Sequence, residues 1–173
     1  MKILYSLVDN EFKKQEITHT RQIVRAVLIN NNNQIAFIKL HGRDALGDRN
    51  YYELPGGGKK KGETLLNALH REILEETGFT IQSVIPLRRV IDYYNILSRR
   101  NDNHYFLAYV DSFNETHLTK FEKEIIEKVV WIDIDRALEV FNDVVDSPLS
   151  RLVRNRELSI IELAINRYKK GTR

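Results

Sequence analysis

The apolar positions run nearly unbroken over residues 22–29 (QIVRAVLI) and 34–40 (QIAFIKL), two strand-like runs, the first rich in β-branched residues, parted by Asn30-Asn31-Asn32-Asn33. Asparagine tolerates left-handed backbone and closes turns through its own side chain, so the pair is expected to form a hairpin. Ahead of it, Ile3 to Val8 reads as a short strand, and a second extended piece near Ile17 to Thr20 would fold back on it as an N-terminal hairpin. Residues 41–50 are polar and expected to be a loop, followed by a short strand from Tyr51 to Leu54 that stops at Pro55 and three glycines.

The period then changes. From Glu63 or Thr64 the chain reads as a helix, with Leu66, Leu69 and Ile73 as an apolar stripe and Gly78 as the left-handed residue that ends it. Residues 81–94 return to alternation, residues 95–103 form a polar loop, and His104 to Val110 is a further strand. A charged stretch from Lys120 to Lys128 precedes a strand over Val129 to Ile132. Asp133 or Asp135 is then expected to cap a helix reaching Phe141, and Pro148 to break the chain. A last amphipathic helix over 155–169 places Leu158, Ile161, Leu163, Ala164 and Ile165 in its apolar part. Strands mixed with helices, and hairpins among the strands, argue for a mixed sheet packed between helices.

Bulk properties narrow the setting. A chain of 173 residues supports one domain with a good core. That domain is expected to span 1–173, with 1–20 as an N-terminal extension and 155–173 as a C-terminal helix. Hydrophobic residues are 42% and charged residues 29%, an ordinary soluble composition. There is no cysteine, which removes disulfides and thiolate metal sites and fits a cytoplasmic location. No stretch approaches the roughly 20 apolar residues of a membrane helix, and the N-terminus lacks a small-residue cleavage site. A net charge of +3 does not by itself point to nucleic acid. The N-terminal hairpin is a candidate surface for a homodimer.

The chemistry concentrates in Gly56 to Phe79, GGGKKKGETLLNALHREILEETGF. Turned by about 100° per residue, Glu72, Glu75 and Glu76 fall on one side of the helix. Like charges so placed repel, and a divalent cation between them would reverse the sign of the effect. Magnesium takes oxygen ligands, and glycines let backbone approach the ion or a phosphate. A solvated helix face explains the three glutamates less well once the glycine loop is counted.

The stretch resembles the Nudix box at every fixed position: Gly57, Glu63, Arg71-Glu72-Ile73, Glu75-Glu76 and Gly78-Phe79, with Phe79 where an aliphatic residue is commoner. The resemblance extends over about residues 20–140 and implies a Nudix-type α/β/α sandwich with a mixed β-sheet between helices. It implies Mg²⁺ as cofactor, with Mn²⁺ as a substitute. Glu72, Glu75, Glu76 and the carbonyl of Gly56 would be ligands, and Glu72 or Glu75 the base acting through a metal-bound water. Arg71 would orient the carboxylates, while Gly57, Glu63 and Gly78 would serve the structure of the motif. Family members often add a glutamate from a loop before the strand that ends in tryptophan; Glu122, Glu124 and Glu127 all precede Trp131, and Glu124 is favoured.

The implied reaction is hydrolysis of a diphosphate linkage in a nucleoside diphosphate derivative by attack of water. An RNA 5′-pyrophosphohydrolase, suggested by Lys59-Lys60-Lys61, and a non-catalytic nucleotide sensor are the alternatives. Arg25, Tyr93, Tyr94, Arg99 and Arg100 are candidate substrate contacts. Each also has a plain structural role: Arg25 as the outward residue of its strand, the tyrosines as core or rim, and the other arginines as loop surface.

Overall fold

The structure is a computed structural model that describes residues 1–44 and 46–171. Ala45, Thr172 and Arg173, which belong to the expected 41–50 loop and 155–173 helix, lie outside the described residues. The strands are β1 (Ile3–Val8), β2 (His19–Ile29), β3 (Gln34–Asp44), β4 (Gly47–Glu53), β5 (Gly56–Gly58), β6 (Phe79–Tyr94), β7 (Arg99–Phe113) and β8 (Ile126–Asp133). The helices are α1 (Leu65–Thr77), α2 (Lys120–Ile125), α3 (Ala137–Asn142) and α4 (Pro148–Gly171). Among the described residues no helix is long and apolar enough to cross a membrane.

The sheet runs β1-β6-β7-β2-β3-β4, with β5 pairing β2 and β8 pairing β3. It is mixed: β1 lies parallel to β6 and β2 parallel to β7, while β6 and β7, and β3 and β4, are antiparallel. Period-two alternation divides the core. Val24, Ala26, Leu28, Phe106 and Ala108 face Ala68, Leu69 and Ile73 of α1. Val27, Ile29, Phe37, Tyr105 and Leu107 face Phe141 of α3 and Ile160, Ile161 and Ala164 of α4. β2 is thus covered on both faces, which explains its nearly unbroken apolar run. The helix–sheet–helix layering and mixed sheet are those the resemblance implies.

Several local expectations change. The asparagine turn forms, with Asn33 at φ 59° and Asn30 Oδ1 accepting from the N–H groups of Asn32 and Gln34 at 2.9 and 3.0 Å. The hairpin it closes has one register pair, Ile29↔Ile35. Beyond it β3 diverges to β8 and β4, and β2 to β7 and β5. The N-terminal hairpin does not form either: β1 pairs with β6, and residues 19 and 20 begin β2. β1 is instead an edge strand of the sheet.

The 41–50 stretch is mostly strand. β3 and β4 pair from Ile38↔Glu53 to Asp44↔Gly47, fastened by Lys39 Nζ on Asn50 Oδ1 and Arg49 on Asp44, each at 2.6 Å. Its side chains are polar because none of the described ones is buried: His41, Arg43 and Asp48 are exposed, and of the polar ones only Arg49 reaches a cavity. Arg99 and Arg100 likewise begin a strand. Leu66 is 48% exposed, and the buried stripe of α1 is instead Ala68, Leu69, Glu72 and Ile73. No side chain caps α3. Pro148 starts α4 instead of breaking the chain: Ser147 Oγ accepts from Ser150 N at 3.1 Å, a cap placing proline where no N–H is needed.

Candidate active site

The site begins with how α1 is started and stopped. Thr64 Oγ1 caps it by accepting from Asn67 N at 3.1 Å, and Gly78 closes it at φ 75°. Burial of Ala68, Leu69 and Ile73 against the sheet fixes the rotation of α1, and with it which carboxylates face the sheet. β5 lies against the same helix. Gly56, at φ 140°, passes so close to β2 that an added Cβ would sit 2.1 Å from the Val24 carbonyl. A Cβ on Gly57 would lie 2.4 Å from Glu72 Oε2, so that glycine makes room for the carboxylate.

Arg71 joins the parts. Its Nε and Nη2 donate to the two oxygens of Glu63 at 2.7 and 2.9 Å, and Nη2 also donates to the Gly58 carbonyl at 3.1 Å. Its Nη1 donates to Glu72 at 2.7 Å and to Glu75 at 3.0 Å. The Arg71 guanidinium, then the Lys60 N–H, hold the Glu63 carboxyl down at about 2. A carboxyl depressed in the folded state adds stability above its unfolded pKa, here about 4.5, and loses it as pH falls towards about 2. Acid melts of the wild type and Glu63→Gln should therefore differ at neutral pH and converge across that window. A gap constant in pH would contradict the assignment.

Three carboxylates meet at the mouth of the cavity. Oxygens of Glu72, Glu76 and Glu122 all lie within 4.8 Å of one another. Burial pushes Glu72 upward against the pull of Arg71. Burial pushes Glu76 well upward, although its Oε2 accepts the Gly56 N–H at 2.8 Å. Such a set of desolvated oxygens fits a hard divalent cation, which would favour the ionised forms.

Glu75 and Glu124 are not in this group. Glu75 turns to Arg71, with Lys60 at 4.0 Å. Glu124 is exposed: on α2 it lies about 200° round from Glu122, so only one of the two faces the cavity. The sequence signals where the helix of Glu122 starts, though not that Glu122 joins the cluster. Thr119 and Glu122 form a capping box, Thr119 N donating to Glu122 Oε2 at 2.7 Å and Glu122 N to Thr119 Oγ1 at 3.3 Å.

The cavity, of about 320 Å³, runs from these carboxylates over the face of the sheet that packs on α4. Alternation separates the remaining nominees. Tyr94↔Arg99 is one register pair and Tyr93↔Arg100 the next. Tyr94 and Arg99 line the cavity; Tyr93 and Arg100 do not. Burial raises the Tyr94 hydroxyl to about 12.

Arg25 also lines the cavity, but it is 8% exposed and does not face outward as the residue of an open strand would. Its Nη1 donates to the Leu54 carbonyl at 2.6 Å, Nη2 pairs with Glu53, and Nε lies 3.4 Å from Glu157. Arg156 Nη2 joins Glu53 at 2.6 Å and Glu157 at 2.9 Å. Burial opposes the charge on Glu53, but Arg25 and Arg156 more than offset it and hold the carboxyl below its ordinary range. Glu157, enclosed beneath them, is pushed up by burial. This buried network is not visible in the sequence, because β2, β4 and α4 each contribute to it.

A family model for the NUDIX domain matches residues 19–152. The chain belongs to the Nudix family. That family hydrolyses pyrophosphate bonds and generally uses a divalent metal, so this Nudix chain is a hydrolase by family. Solved Nudix structures share its fold. A NUDIX hydrolase from Nitrosomonas europaea is 20% identical, covering 80% of this chain and 88% of that one, at TM-score 0.60. A MutT NUDIX hydrolase from Burkholderia pseudomallei is 19% identical, covering 83% and 97%, at 0.59. The E. coli ORF135 protein is 20% identical, covering 83% and 87%, at 0.53. At such identities the likeness concerns the fold. No curated protein matches the sequence at a significant level.

Proposed function

We propose that this Nudix domain, over residues 1–173, hydrolyses a diphosphate linkage in a nucleoside diphosphate derivative, with Mg²⁺ as cofactor and Mn²⁺ as a substitute. The observation that carries the reading is the convergence of Glu72, Glu76 and Glu122 at the mouth of an arginine-lined cavity. The three carboxylates, with the Gly56 carbonyl, would hold the cation, which would neutralise charge at phosphorus and lower the pKa of bound water.

The chain's own groups do the positioning. Arg71 locks Glu72, Glu75 and Glu63 to the glycine strand, and the Gly56 N–H orients Glu76. Glu75, outside the cluster but tied to it through Arg71, would be the base that takes the proton of the attacking water, with Glu72 as the alternative. Phosphoryl transfer depends mainly on such positioning and charge compensation. Arg25, held by Glu53 and Glu157, shapes the wall and does not offer a free guanidinium to substrate. A cytoplasmic setting, where nucleotide substrates are at hand, accompanies this reading.

An RNA 5′ end is the second substrate class, favoured by the exposed Lys60 and Lys61 beside the glycine strand. A panel of nucleoside diphosphate derivatives and 5′-triphosphorylated RNA, assayed with Mg²⁺ and Mn²⁺, decides between them. Tight nucleotide binding without turnover across the panel would replace both by a sensor. Within the reading, Glu122→Gln should raise the Mg²⁺ concentration for half-maximal rate by more than the roughly 10–100-fold typical of lost outer-shell contacts. Glu124→Gln should leave it unchanged. Equal effects from the two would remove Glu122 from the site.

A further inference from the structure

Beyond the carboxylates, the cavity carries two arginines that, among the described residues, stand in no ion pair, Asp92 acting on Arg99 only at a distance. β2 and β7 run parallel in the register His19↔Arg99 and Arg21↔Asn101, so Arg21, Arg99 and Asn101 share one face on neighbouring strands. All three line the cavity. The other arginines there are matched: Arg25 and Arg156 by Glu53 and Glu157, and Arg49 by Asp44. Among the described residues no carboxylate pairs with Arg21 or Arg99. The Nε of Arg99 is buried and has no hydrogen-bond partner. Burial, and then the charge of Arg21, act against the charge of Arg99. An anion between the two guanidinia would relieve both effects.

Asn101 adds a second kind of contact. It is 1% exposed, and its Nδ2 donates to Asp92 Oδ2 at 2.9 Å. The other Asp92 oxygen accepts from Asn103 Nδ2. Asp92 thus fixes the amide and turns its oxygen away, and Asn101 Oδ1 has no donor. The subsite therefore offers two cationic forks beside a lone acceptor, a set that suits an anionic group next to a hydroxyl. Its link to the carboxylates runs through β5. The Arg21 guanidinium lies against Gly58, one residue from the Gly57 that abuts Glu72.

We propose that Arg21, Arg99 and Asn101 form a cation-independent subsite for a phosphate group on a hydroxylated skeleton, such as a phosphorylated ribose, distinct from the phosphates at the carboxylates. The inference deepens the reading above. It makes the favoured substrates those that carry a phosphate beyond the linkage being split.

The test uses the full chain in EDTA, where carboxylates without a cation have no means of holding phosphate. Titration calorimetry with inorganic phosphate should give saturable binding that Arg21→Gln and Arg99→Gln each weaken about tenfold or more. Lys59, Lys60 and Lys61 all changed to Gln should leave it unaltered. Ribose 5-phosphate should bind more tightly than inorganic phosphate, and Asn101→Leu should erase that difference. Arg21 is exposed, so its replacement leaves folding intact even if Arg99→Gln does not. Phosphate binding absent in the wild type, indifferent to both arginines, or lost with the lysines would overturn the proposal. Failure of the hydrolase reading has a different signature: phosphate binding in EDTA persists while metal-dependent turnover is absent.

Discussion

Glu76→Gln and Glu72→Gln are each expected to lower metal-dependent turnover by at least about 10³-fold, while the fold remains intact. The magnitude follows from the several kcal/mol a bound metal contributes to transition-state charge, at 1.36 kcal/mol per tenfold in rate. The amide keeps the hydrogen-bonding shape of the carboxylate. The Gly56 N–H can still donate to residue 76 and Arg71 to residue 72. What is lost is the charge, and burial opposes that charge at both positions. Thermal stability without metal should therefore be unchanged or higher in the variants. Steady-state rates over a Mg²⁺ series, with melting curves in EDTA, separate the two effects. Turnover within tenfold of wild type in both variants would remove these glutamates from the metal site. A loss of activity accompanied by a lower melting temperature would point to packing.

Glu157→Ala is expected to destabilise the protein by about 3–5 kcal/mol, the cost typical of breaking a buried ion pair, because it removes the acceptors of a buried N–H as well as the partner of two guanidinia. Glu157 has no exposed side-chain surface, and it faces both Arg156 and Arg25. It also accepts the Leu54 N–H at 2.8 Å and the Tyr105 hydroxyl at 3.5 Å. Its removal leaves, among the described residues, Glu53 as the single carboxylate in ion-pair contact with the two buried guanidinia. Against total stabilities of about 5–15 kcal/mol, that change moves the urea midpoint far towards zero. Arg156→Met should be similarly costly alone. The Arg156→Met/Glu157→Ala double variant should lose much less than the sum, because the second change removes a charge that the first has stranded. Additive losses would mean that the two side chains do not act as a pair. The network bears on function because it sets the wall of the cavity. Leu54, whose N–H and carbonyl bond Glu157 and Arg25, immediately precedes Pro55 and the glycine strand.

The box from Gly57 to Phe79, the helix that carries it, its cap at Gly78 and most strands were legible in the sequence, because each depends on contacts a few residues apart. Helical pitch alone places Glu72 and Glu76 near one another, and a glycine run announces close backbone approach. The local errors share one cause. Residues 41–50 look like a loop because none of their described side chains is buried, and the ladder that orders them comes from pairing with their own hairpin. Pro148 looks like a break, whereas Ser147 makes it a beginning.

Membership of the carboxylate cluster was beyond the sequence. Glu122 rather than Glu124 faces Glu72 and Glu76 because of where a six-residue helix is laid down between β7 and β8. The same holds for the divergence of Tyr94 and Arg99 from Tyr93 and Arg100, which alternation separates only once the sheet has chosen which face meets α4. Local chemistry along the chain determined the reaction class and the helix that serves it. Only the tertiary structure decided which distant charges meet, because a buried charge is set by neighbours from other elements. In the cavity those neighbours leave Arg25 and Arg156 neutralised and Arg21 and Arg99 open.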